Sequence, residues 1–174
     1  MILRVTSFLL GVALLASPAR PQPADAPITG STASVTVGSG PHKGEFGFSP
    51  TQACVIATFG NKPPGLSVVM TSEKSSLSID VPSIDEKHAN QIQVVLVIAA
   101  SEAGKGTSSV TYEIDTRPDA VLEPYQRAER ANKGMSGKAT TTLMQKGDSA
   151  MLSFTGETAS GVKLEGSVTC KKVN

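Results

Sequence analysis

Two cysteines and two histidines are the residues of this chain best able to do chemistry beyond packing. Cys54 lies in TQACVIATF, residues 51–59, and Cys170 in LEGSVTCKKVN, residues 164–174. Neither has a histidine beside it, and no C-x-x-C is present. A catalytic thiol would therefore lack a neighbouring imidazole base and a C-x-x-C partner. His42 falls in the turn-rich GSGPHKGEF, and His88 in SIDEKHANQ close to Asp85 and Glu86. A transition metal wants several His, Cys or carboxylate ligands converging on one point. Asp80, Asp85, Glu86 and His88 do that only if their loop curls tightly, and a polar loop between strands is the simpler reading. There is no G-x-S-x-G elbow, and AGKGTS and MSGKAT lack the spacing of a phosphate loop. No catalytic residue, metal or other cofactor is expected, and a hydrolase would need a site that no motif reveals.

The first residues speak to compartment. Arg4 precedes a mostly apolar run over 5–16, and Ser17-Pro18-Ala19 then offers small residues where a signal peptidase reads. The run is shorter than the ~20 residues a membrane span needs. Cleavage after Ala19 gives a signal peptide over 1–19, with an N-terminal membrane anchor as the alternative. RPQPADAPITGST follows, a Pro-rich linker over 20–32, and one domain occupies 33–174. Loss of Arg4 leaves acidic and basic side chains equal in number. A neutral chain with no basic stripe is a poor partner for nucleic acid. No later segment is long and apolar enough to be a transmembrane span.

Outside the cytoplasm paired cysteines oxidise, and with two cysteines there is one intramolecular pairing, Cys54 with Cys170. It would close about 115 residues, which the chain-entropy relation values at about 4.8 kcal/mol. Two separate buried thiols are the alternative. Around Cys170 the pattern is period 2: Val162, Leu164, Gly166, Val168 and Cys170 alternate with polar residues, so Cys170 points inward. ACVIATF, by contrast, is a short apolar run, read as a strand buried on both sides or central in its sheet.

The elements that would position these residues are short strands. ASVTV (33–37), GEFGF (44–48), LSVVMT (66–71), LSIDV (77–81), SVTYEI (109–114), GKATTTLMQ (137–145) and AMLSFTGE (150–157) join the two cysteine segments. QIQVVLVIAA, 91–100, is the longest apolar stretch of the mature chain and reads as a central strand. The spacing predicts an all-β fold, an antiparallel β-sandwich of about eight to ten strands. Serine and threonine are read as the ordinary furniture of exposed strands and turns. One segment departs from the pattern, DTRPDAVLEPYQRAERANKGM over 115–135. It predicts a long crossover excursion with room for a short helix, limited or kinked by Pro124, supported by Glu123 and Arg127 at i, i+4, and capped by Gly134. Long excursions in compact domains often carry function. Tyr125, Arg127 and Arg130 are the candidates for a contact surface. With no Trp, and with Tyr112 at a core-facing position, composition disfavours a sugar-binding role, and for the same reason a platform that stacks bases.

The Cys54 strand together with GKATTTLMQKGDSAMLSFTGETASGVKLEGSVTC, the block ending in Cys170, resembles the small mycobacterial surface lipoprotein antigens of the LpqH type. Their Gly-Lys/Asn-Ala-Thr strand, Gly-Asp/Ser turn and terminal V-T-C recur here in that order, and T-G-E-T-A-S-G (155–161) stands where they have T-G-x-A-x-G, one residue longer. The resemblance implies an exported β domain closed by a Cys54–Cys170 disulfide, with no established catalysis. The lipid-bearing cysteine after the signal is missing, so the lipid anchor is not carried over. The expected function is a secreted or periplasmic, non-enzymatic binding module or cell-envelope component with an unknown protein or envelope partner. A carrier of a small apolar ligand between the sheets is the alternative, kept open by the strand at 91–100.

Overall fold

A computed structural model describes residues 30–48, 54–57, 64–84, 90–102, 106–133 and 137–171. Ten strands are present among them. They are β1 (Thr32–Val37), β2 (Gly44–Phe48), β3 (Cys54–Ala57), β4 (Gly65–Thr71), β5 (Ser75–Val81), β6 (Gln93–Glu102), β7 (Gly106–Asp115), β8 (Lys138–Lys146), β9 (Ser149–Glu157) and β10 (Lys163–Lys171). A 3-10 turn, Asp119–Val121, and one helix, α1 (Pro124–Lys133), lie between β7 and β8. Two antiparallel five-stranded sheets result, the first in the order β2-β1-β10-β9-β8 and the second in the order β3-β4-β5-β6-β7. The second sheet is a plain meander. In the first, β8, β9 and β10 follow one another and β1 then lies beside β10, so the first and last strands meet edge to edge.

Each segment read from the sequence as a strand is one. The reason is local: successive side chains leave opposite faces, so alternation in sequence becomes an inner and an outer face. β4 buries Leu66, Val68 and Met70 while Ser67, Val69 and Thr71 face out. β9 buries Ala150, Leu152 and Phe154 in the single core cluster to which both sheets contribute. Turns fit their residues. Gly147, at φ +56°, takes the first loop position of the β8–β9 hairpin, where a β-carbon would be strained. Between β4 and β5 the Ser75 amide donates to Ser72 Oγ at 3.1 Å. Packing is tight enough that Gly166 has no room for a side chain: a Cβ there would lie 2.6 Å from the Phe154 ring and 2.9 Å from the Ser34 carbonyl. Gly166→Ala is expected to cost about 1–3 kcal/mol through overpacking, read as a lower urea midpoint at unchanged slope.

Cys54 and Cys170 form a disulfide with Cα atoms 5.7 Å apart, and both side chains are fully buried. It ties the second sheet to the first. The expectation that the Cys54 strand is central is overturned: among the described residues β3 is a four-residue edge strand paired with β4 alone. Cys54 is in the core and Ile56 packs against it, while Val55, on the opposite parity, is half-buried. β6 does lie inside its sheet, paired with β5 and β7. Pro124 is corrected too. It begins α1 rather than limiting it, because the first helical position has no intrahelical use for an N–H. Glu123 and Arg127 are linked by the first helical hydrogen bond, from the Arg127 amide to the Glu123 carbonyl at 3.0 Å.

The expected signal peptide and most of the expected linker, in residues 1–29, lie outside the described residues, and so do Asp85, Glu86, His88 and Gly134. Among the described residues no helix is long and apolar enough to cross a membrane, which says nothing about strands.

Candidate functional site

The excursion is fastened by a buried charge cluster. As β7 ends, Asp115 accepts from Arg117 Nε at 3.0 Å and Nη2 at 3.0 Å, and from the Arg117 amide at 3.1 Å. Arg117 Nη1 reaches Asp80 on β5 at 2.9 Å. From α1, Arg130 Nη2 lies 2.6 Å from Asp115 Oδ1, an ion pair poorly aligned for a hydrogen bond. Its Nη1 donates to the Arg117 carbonyl and to Asp119 at 3.1 Å. Burial pushes the Asp115 carboxyl up, but hydrogen bonds from Arg117 and the close Arg130 guanidinium outweigh that and hold it below its ordinary 3.8. Burial likewise lowers Arg117, and its two aspartates more than restore it. The helix start is locally encoded: Gln126 reaches back to accept the Glu123 amide at 2.9 Å, half of a capping box.

Within that frame the three predicted contact residues part company. Tyr125 is 69 % exposed and Arg127 faces solvent, but Arg130 is turned inward at 10 %. Residues two apart leave different sides of a helix, so Tyr125 and Arg127 do not form one patch. Gln126 and Arg130, four apart, share the inward side. His42 is placed by packing, its ring edge-to-face with Tyr112 at 6.5 Å between centroids. Asp80 serves Arg117. Among the described residues no three His, Cys, Asp or Glu side chains are grouped to hold a metal ion.

A second feature lies on the outer face of the first sheet. Outward side chains of β8, β9, β10 and β1 fall into rows across the strands. One row is Thr142, Ser153, Ser167 and Ser34; the next is Thr140, Thr155, Glu165 and Thr36. A third is Lys138, Glu157 and Lys163. Gly38 continues that row, its amide bonded to the Lys163 carbonyl at 2.8 Å. A Cβ at Gly38 would stand 3.3 Å from that of Lys163, so glycine keeps this end open. Neighbours stand about 4.8 Å apart across the sheet, and rows about 6.6 Å apart along it.

The surface over these rows is hollowed. A cavity of about 520 Å³ covers the second and third rows, and one of about 350 Å³ covers the first and second. They share Thr36, Thr140, Thr155 and Glu165, so they make one trough. Ser34 Oγ and Ser167 Oγ approach to 3.4 Å. Among the described residues the hydroxyls of Thr36, Thr140, Thr142, Ser153 and Thr155 have no protein partner, and Lys138, Glu157, Lys163 and Glu165 make no ion pair. At the far end Met144 and Met151 stand directly opposite each other, both more than half exposed. Such a surface can exchange many hydrogen bonds with a ligand, but it holds no nucleophile with its base.

In sequence each of these hydroxyls is indistinguishable from the ordinary outward residues of exposed strands. The signal was present, since S-V-T (34–36), T-T-T (140–142), S-F-T (153–155) and S-V-T (167–169) repeat one alternation. That they share one face is a matter of strand order. No family model, curated protein or solved structure matches this chain.

Proposed function

We propose that this chain is an exported, non-enzymatic β-sandwich that works by binding, in the periplasm, in the medium or as part of the cell envelope. The observation that carries the reading is the buried Cys54–Cys170 bond between the two sheets, with no free cysteine in the chain. A bond of this kind persists where thiols oxidise. The signal-like start and the resemblance to LpqH-type antigens favour the same compartment. The trough and the Tyr125 side of α1 are the surfaces on which such a module would meet its partner. The balanced charge of the chain argues against nucleic acid.

The full-length chain produced in a bacterial host tests this. The expected result is a mature protein beginning at Arg20, recovered outside the cytoplasm, with both thiols alkylated only after reduction. An uncleaved chain in the cytosol with both thiols open to alkylation would overturn the proposal.

A further inference from the structure

We infer that the trough on the outer face of the first sheet is a binding site for an extended polyhydroxylated chain of no net charge, a short oligosaccharide. The inference rests on reading the chain as a binding module and names the ligand class of one of its faces. The lining sets the chemistry. Each of the unpartnered Thr36, Thr140, Thr142, Ser153 and Thr155 hydroxyls can both donate and accept, as a sugar hydroxyl does. Glu165, in the middle row, adds an acceptor where the two cavities overlap, and Lys138 and Lys163 add donors at one end. The spacing of this array matches a ligand that presents polar groups all along its length.

Other ligand classes fit less well. The two lysines are balanced by Glu157 and Glu165, so a polyanion gains nothing from the trough as a whole. A peptide adding a strand needs a sheet edge, because backbone ladder bonds lie in the plane of the sheet. The trough lies on a face, with β10 in its middle, and offers no ladder bonds. A lipid tail needs a wall of apolar side chains, and here the outward side chains of the three rows end in hydroxyls, ammonium groups and carboxylates, with apolar area contributed by their stems and by the strand backbone beneath. The absence of tryptophan, which disfavours a stacking platform, does not touch a site built from hydroxyls. Such a site binds weakly, since each hydrogen bond replaces one to water.

The test is a titration of the isotope-labelled mature chain, followed by amide chemical shifts. The probes are cellohexaose and chitohexaose, with a heparin hexasaccharide as the polyanion. The expected result is saturable shifts centred on Thr36, Thr140, Thr155 and Glu165 with a neutral probe at millimolar concentration. Thr140→Val with Thr155→Val keeps side-chain shape and β propensity while removing two hydroxyls. It is expected to weaken binding about tenfold or more, the effect of losing two hydrogen bonds. Unshifted amides at Val35 and Leu152 would confirm that the variant is folded. The inference is overturned by the absence of saturable shifts with either neutral probe, by shifts centred on α1, by unchanged affinity in the double variant, or by binding of the heparin fragment alone. Each of those results leaves the export and thiol-oxidation measurements standing, so the ligand class can fail without the proposed function failing.

Discussion

Replacing both cysteines, Cys54→Ala with Cys170→Ala, is expected to lower the unfolding free energy by about 2–5 kcal/mol. The bond joins residues 116 apart in sequence, and releasing it returns that loop's freedom to the unfolded chain. The effect in the folded state is local. β3 is a four-residue edge strand with one neighbour, so the disulfide is its main tie to the first sheet. The melting temperature is expected to fall by about 10 °C, at roughly 2–4 °C per kcal/mol for a domain of this size. Amide exchange should quicken first at Val55 and Ile56, while β5 and β6, paired on both sides, stay protected. A loss under about 1 kcal/mol, or uniform exchange across both sheets, would show that β3 is held by packing rather than by the bond.

Asp115→Ala is expected to cost about 3–5 kcal/mol, because it strands two guanidinium groups in the interior. Arg117 is 5 % exposed and keeps Asp80, but Arg130 would be left facing Arg117 with the Arg117 carbonyl and the exposed Asp119 as its partners. Arg130→Ala should cost less, since Asp115 and Arg117 still satisfy each other. The same cluster predicts a pH dependence. The folded carboxyl titrates below 3.8, so around and below that pH the unfolded chain binds more protons than the folded one. Its contribution is therefore complete above the unfolded value and is lost as pH falls through the lower, folded value. Urea midpoints between about pH 2 and pH 5 should fall with acidity in the parent, and fall less in Asp115→Asn, which has no carboxyl to titrate. Equal slopes in the two proteins would remove Asp115 from the account of acid sensitivity.

This cluster also shows where sequence reasoning stops. Asp115 follows Glu113 and Thr111 on the outward parity of β7, and by alternation alone it belongs in water. It is buried because the chain turns back at Arg117 and lays Arg130 of α1 over it. No local pattern encodes that return. Arg130 looked like a surface residue for the same reason, in a helix of charged side chains on which Tyr125 and Arg127 do face solvent.

Cys170 was placed correctly on the inner face because alternation around it is clean, whereas ACVIATF could not say that its strand lies at an edge. A run of apolar residues reports burial, and an edge strand covered on its inner face by a disulfide reports it too.

By itself the sequence located the strand segments, about eight to ten of them, the inner face of the last one, and the one intramolecular pairing open to two cysteines. These are properties of neighbours along the chain: side-chain direction alternates residue by residue, turns need particular backbone angles, and two thiols have one way to join. The tertiary structure alone decided which strands stand side by side, which is an edge, and what lies over each outer face. Those depend on contacts between segments far apart in sequence. The hydroxyl rows of Ser34, Thr140, Ser153 and Ser167 become a single trough because β1, β8, β9 and β10 are neighbours, and that order is settled by the packing of the whole core.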